Sequence, residues 1–204
     1  MKKHQKLLDL KPTQFAIGIA EVHEKIAAFE KLKKRGLKKF VEDNPIPIVV
    51  SPLKEMYLVD HHHFLFTCWH LGVKKVRVKV VCDLSRKKYT LTQFWKFMAR
   101  HNYFYPFCQF GEGPRDSLYL PQDIRGLADD PYRSLAWFVR KDGGYENTDE
   151  PFAEFQWANL FRKRKLLHRN GRVGLNKAVK QALKIAKSPV AKGLPGFRGA
   201  GEKS

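Results

Sequence analysis

The alternation of apolar and polar side chains divides the chain into elements. Between residues 8 and 14, Leu8, Leu10 and Thr13 flank polar positions and predict a first strand, which Pro12 assigns to a sheet edge because it cannot donate to a ladder. A small-residue passage containing Gly18 follows. Val22, Ile26, Phe29 and the stem of Lys33 then recur at helical spacing, predicting a helix over about 21–35 with Gly36 as its stop. Asn44-Pro45-Ile46-Pro47 enforces extended backbone and leads into Ile48-Val49-Val50, a continuous apolar run predicted to be a buried strand. Beyond the turn at 51–55, residues 56–59 return as its hairpin partner. A helix over 61–71 closes at Gly72, and Val76, Val78 and Val80 then alternate with Lys75, Arg77 and Lys79 as a half-exposed strand with one basic face.

From there the pattern turns helical. Thr90 or Thr92 caps a helix through Phe94, Trp95, Phe97 and Met98 to about His101. Residues 103–123 are aromatic and rich in Gly and Pro, which predicts an ordered loop. Asp130 and Pro131 open a helix whose inner stripe is Leu135, Phe138 and Val139, ending at Gly143-Gly144. Residues 151–167 predict another, with Phe152, Phe155, Trp157, Leu160 and Phe161 apolar, and Gly174-Leu175-Asn176 begins a last, basic one over Ala178, Val179, Leu183 and Ile185. The aromatics of 155–161 lie beside Arg162-Lys163-Arg164-Lys165, but their helical spacing assigns them to a core. The fold class is therefore α+β, with a mixed N-terminal part and a mainly helical remainder.

Composition adds a core and a charge. A hydrophobic fraction of 43% with 13% aromatics excludes a disordered chain. No apolar run approaches the roughly 18–20 residues of a membrane span, and the basic N-terminus lacks the apolar stretch of a signal peptide. Cys68, Cys82 and Cys108 form neither a disulfide framework nor a paired metal knuckle, so a reducing, cytoplasmic setting is expected. The net charge of +19 predicts attraction to polyanions. It is concentrated after Arg162, where Arg169, Arg172, Lys177, Lys180, Lys184, Lys187, Lys192, Arg198 and Lys203 face a single acid, Glu202; this region and the basic strand Lys75-Arg77-Lys79 are candidates to track a nucleic-acid backbone, although a charge run is more often a solvated face.

The candidate chemistry lies at Val59-Asp60-His61-His62-His63-Phe64, where a predicted strand hands an acid and three imidazoles to the start of a predicted helix. A helix N-terminus presents amide N–H groups and partial positive charge, which suits phosphate. His62 and His63 would add donors, and Asp60 would accept a hydroxyl proton or hold a divalent cation beside phosphates. Two other readings stay open on residue chemistry alone: a metal site, although no HExxH or Cys pair completes one, and a structural helix start with Asp60 as its cap.

The series Pro45-Ile46-Pro47-Ile48-Val49-Val50, a turn, Tyr57-Leu58-Val59-Asp60-His61-His62-His63, a short helix, and Leu71-Gly72-Val73 resembles the ParB/sulfiredoxin superfamily over about residues 8–82. The later Asp130-Pro131-Tyr132-Arg133-Ser134-Leu135-Ala136-Trp137 and Glu154-Phe155-Gln156-Trp157-Ala158 resemble its ParB-like nuclease branch. The resemblance implies a ParB/sulfiredoxin-like α/β core over 1–88, a helical extension packed on it over 89–190, and a flexible tail over 191–204. It implies a nucleotide (ATP, ADP or CTP) with Mg²⁺, its phosphates resting at His61, His62, His63 and Phe64, and phosphoryl transfer or hydrolysis on a small-molecule substrate; DNA binding or cleavage is the alternative. His61 stands where the family pattern has Gly, and Phe64 where Arg is common. Arg133 or Arg140 is the expected replacement for that guanidinium, and Glu21 the expected base, with Asp60, His62 and His63 completing the catalytic set. The sulfiredoxin Cys has no counterpart.

Overall fold

The computed structural model describes residues 3–32, 34–167 and 174–199; the expectations for Lys33, Arg169, Arg172, Glu202 and Lys203 lie outside them. In chain order the elements are β1 (His4–Lys6), β2 (Leu10–Lys11), β3 (Ala16–Ile17), α1 (Ile19–Glu30), α2 (Lys34–Asp43), β4 (Ile46–Val50), β5 (Met56–Leu58), α3 (His62–His70), β6 (Lys75–Asp83), α4 (Leu91–Arg100), β7 (Ala128–Asp129), α5 (Pro131–Lys141), α6 (Ala153–Lys163) and α7 (Leu175–Ala186). The fold is α+β. The chain divides into two compact units, one of residues 1–17 and 22–128, the other of 18–21 and 129–204.

The first unit is built on a mixed five-stranded sheet in the order β1-β6-β4-β5-β2. The expected hairpin is present: β4 pairs antiparallel with β5, Val49 opposite Tyr57. β2 is an edge strand, as Pro12 predicts, but only two residues long, because Leu7–Asp9 form a 3-10 turn that leaves Leu8 exposed. The sheet is covered on both faces. Neighbouring strand residues point to opposite sides, and both Ile48 and Val49 are fully buried. Val49 and Tyr57 pack with Leu84 and with Phe94 and Met98 of α4. Fully burying each such side chain contributes about 1.5–3 kcal/mol. That packing draws α4 into the first unit, so the compact unit extends to residue 128 and not to 88.

Two other sequence expectations shift. The helix predicted over 21–35 ends at Glu30, and Gly36 lies inside α2 instead of closing α1. On β6, Lys75 and Lys79 are exposed and Val76 and Val78 buried as expected, yet Val80 is exposed. Just beyond it the register shifts: Ile48 faces Val80 but Val49 faces Cys82, so Val81 is inserted as a bulge.

The second unit is helical. α5, α6 and α7 close around Leu135, Val139, Trp157, Phe161, Ala178 and Ala182. Trp157 stacks on Tyr145 at 4.1 Å and donates its indole N–H to the Pro195 carbonyl. The aromatics of α6 are thus core, as their spacing implied. The same bond shows that the chain is held at residue 195, within the stretch expected to be a loose tail; 200–204 lie outside the described residues.

Candidate functional site

The Asp60–Phe64 stretch belongs to the first unit. β5 ends at Leu58, and His61 turns the chain into α3 with φ 69° and ψ 23°, the left-handed region. An L-residue there carries roughly 1–2 kcal/mol of strain that glycine avoids. Asp60 braces the turn: one carboxylate oxygen accepts the His61 N–H at 2.6 Å and the other lies 3.3 Å from His61 Nδ1. The His61 side chain does not cap α3, and the first intrahelical bond runs from the Leu65 N–H to the His61 carbonyl. The helix therefore opens on backbone amides, with an acid beside them.

Charge at this opening is divided between an exposed anion and a buried neutral ring. Crowding around Asp60 would raise its pKa, but the bonds from His61 outweigh it and hold the carboxyl down at about 2. Its side chain is 76% exposed, so the carboxylate remains open to solvent. His62 is the reverse. Burial pushes its pKa down to about 3, against a smaller upward pull from Asp60. Its Nε2 accepts the backbone N–H of Thr13 at 3.1 Å, which requires a neutral ring protonated on Nδ1. Thr13 also donates its hydroxyl to the Leu58 carbonyl, so one residue ties the end of β5 and the start of α3 to the segment after β2. His63 is buried and its carbonyl accepts the Thr67 hydroxyl. Phe64 meets Phe29 and Phe40 edge-on at 6.1 and 5.7 Å, so the position that would carry an arginine is part of an aromatic cluster. Cys68 is buried, which pushes its thiol up to about 12 and leaves it a packing group.

The other predicted site residues assemble in the second unit. The first turn of α1 is captured there by bonds remote in sequence: the Ile19 N–H donates to Asp129 and the Ala20 N–H to the Ser134 hydroxyl. Gly18 permits the approach, since a Cβ would lie 2.6 Å from Ser134 Oγ. Glu21, 2% exposed, then pairs with Arg133 at 2.9 Å. Arg133 also bonds Glu154, and Glu154 reaches Arg140 at 2.9 Å. Burial alone would lower the Arg133 pKa, but the carboxylates of Glu154 and Glu21 more than offset it, so the guanidinium stays charged. Arg133 lies over the Phe155 ring at 5.5 Å. Asp130 caps α5 through the Tyr132 and Arg133 N–H groups and accepts from Arg162 at 2.6 Å.

The structure thus brings Glu21, Arg133 and Arg140 together through Glu154 in one unit, and Asp60, His61, His62, His63 and Phe64 together in the other. Sequence reasoning missed Thr13 as the partner of His62 and Glu154 as the carboxylate between the arginines. Neither has a local signal, because each acts across tens of residues. Among the described residues, no group of three or more His, Cys, Asp or Glu side chains is arranged to hold a metal ion, and no helix is long and apolar enough to cross a membrane.

Residues 4–163 match the model of the family described as "Putative ParB-like nuclease". The chain belongs to this family. The crystal structure of protein Atu1540 from Agrobacterium tumefaciens is similar to this ParB-like chain, with 34% identity, a TM-score of 0.87, and coverage of 97% of this chain and 96% of that one. No curated protein matches. The matched span runs through β1 to α6, so both units carry the ParB-like character and the acidic turn at Asp60 lies within it.

Proposed function

We propose that this ParB-like protein binds a nucleotide by its phosphates at the opening of α3 and transfers or hydrolyses phosphate there. The observation that carries the reading is the left-handed turn at His61, which sets an ionised, exposed carboxylate beside a helix start that no His61 side-chain bond closes. Strain in a non-glycine residue at such a junction is a signature of functional turns. Helix-start amides suit phosphate oxygens, and a single exposed carboxylate fits Mg²⁺, which is held by one or two carboxylates together with substrate phosphates. Bound there, Mg²⁺ would neutralise phosphate charge. Asp60 would hold it or accept a hydroxyl proton, and His62 acts as a positioning residue whose bond to Thr13 fixes the helix start. Phe64 contributes no charge, so the backbone and bound cation have to neutralise the phosphates.

The test is calorimetric titration with ATP, ADP, CTP and GTP, with and without Mg²⁺. Binding by at least one nucleotide, weakened tenfold or more in Asp60→Asn under conditions where circular dichroism shows that variant fully folded, supports the reading. No heat with any of them removes it. A second reading, cleavage of nucleic acid, is favoured by the family description and by the +19 charge. Incubation of single- and double-stranded DNA with the protein and divalent cations separates the two.

A further inference from the structure

The aromatic, Gly- and Pro-rich loop over 103–123 supplies none of the residues assigned to the α3 opening. Its own bonds fold it: the Cys108 N–H donates to the Glu112 carbonyl at 3.0 Å, and the Arg115 N–H to the Pro106 carbonyl at 2.7 Å. A 3-10 turn over Ser117–Tyr119 follows, capped by the Asp116 carboxylate, which accepts the Leu118 N–H at 2.9 Å. Leu120 and Ile124 are buried and anchor this segment in the first unit. Yet Leu118 is 77% exposed, Tyr119 76% and Phe110 63%. An anchored turn that holds large apolar side chains in water marks a contact surface. Beside them lies an open groove of about 500 Å³, whose walls include Tyr119, Pro121, Asp123 and Arg125. Asp123 accepts two guanidinium bonds from Arg125, at 2.9 and 2.7 Å, so that wall carries no unpaired charge and suits an apolar side chain.

We infer that this surface joins two copies of the chain about a two-fold axis, Leu118 of each copy seating in the groove beside Tyr119 of the other. Three observations select a second copy as the occupant. The apolar knob and the groove adjoin, as an isologous contact requires, because one patch must supply both sides of it. The charges are self-complementary as well. Glu112 and Arg115 are exposed and, among the described residues, neither side chain is in an ion pair, so each can meet its opposite across the axis. Finally, a net charge of +19 drives copies apart over most of the surface. The loop is the exception. No lysine lies between Lys96 and Lys141, and within 103–123 Arg115 alone stands against Glu112, Asp116 and Asp123. Two copies approach each other here without that repulsion. A basic peptide would answer the acids but leave Arg115 facing like charge. The inference does not depend on the α3 site.

Sedimentation velocity of the full chain over a concentration series tests it. Monomer and dimer should exchange with a dissociation constant in the micromolar range, as befits a contact of a few anchoring side chains. Leu118→Asp should weaken dimerisation at least tenfold, because it puts a charge into the groove of the other copy. Arg115→Glu should weaken it as well, by setting like charges against each other across the axis. Adding Glu112→Arg to Arg115→Glu should restore it, since the charges then exchange sides. Leu53→Asp, at another exposed apolar position of the first unit, should change nothing. All these side chains are exposed, and circular dichroism verifies folding. A chain that stays monomeric at every concentration, a dimer that survives Leu118→Asp or is lost in Leu53→Asp, a double variant without rescue, or association that continues beyond the dimer overturns the inference.

Discussion

His62 Nε2 accepts the backbone N–H of Thr13 at 3.1 Å, joining the first turn of α3 to a segment 49 positions earlier. The bond exists only while the ring is neutral. Burial holds the folded imidazole near 3, against 6.5 for an ordinary histidine. Between those values the unfolded chain binds a proton that the folded chain does not, so stability falls as pH drops below about 6.5, at up to ~1.4 kcal/mol per pH unit. Asp60, held at about 2 against an ordinary 3.8, adds a second loss at lower pH. Denaturant titrations from pH 7.5 to pH 4 should show this slope in the wild type and lose about one proton of it in His62→Gln, whose amide oxygen can still accept from Thr13. Identical slopes would assign the acid sensitivity elsewhere.

The left-handed backbone of His61 makes a separate prediction. His61→Gly should be more stable than His61→Ala by about 1 kcal/mol, because alanine keeps the strain while glycine is free of it. The side-chain contact with Asp60 is lost in both and does not enter the comparison. Equal melting temperatures for the two variants would mean that the turn is not strained.

Arg133 joins two carboxylates in the second unit, and Glu21 is almost fully buried. Arg133→Met should destabilise that unit by about 3–5 kcal/mol, since it removes the buried guanidinium that pairs with Glu21 and Glu154. Adding Glu21→Gln to it should restore part of the loss. A double variant as unstable as the sum of the singles would show that Glu21 and Arg133 do not act as a pair.

Two helix caps differ in reach. Thr90 and Gln93 form a reciprocal capping box on the surface, so Thr90→Ala should cost about 1 kcal/mol. Asp130 caps α5 and also accepts from Arg162 while buried, so Asp130→Ala should cost more than 2 kcal/mol, and Asp130→Asn, which keeps the cap, distinctly less. Thermal unfolding of the three variants measures the order.

The sequence by itself determined the elements whose signals are local. The Ile48-Val49-Val50 strand and its hairpin partner, the cap at Asp130, a cap for α4 at Thr90 or Thr92, and the apolar stripes of α5, α6 and α7 are all written in the order of neighbouring residues, because periodicity and capping act within a turn or a strand. The same locality made Asp60-His61-His62-His63 visible as a strand end meeting a helix start. Tertiary structure decided what these side chains do. It withdrew His62 from solvent by giving it Thr13, left Asp60 exposed, drew α4 into the first unit, and gave both Glu21 and Glu154 to Arg133. Those outcomes depend on which remote backbone amide, carboxylate or ring arrives beside each group. Burial and pairing set its charge, and neither is encoded within a few residues of it.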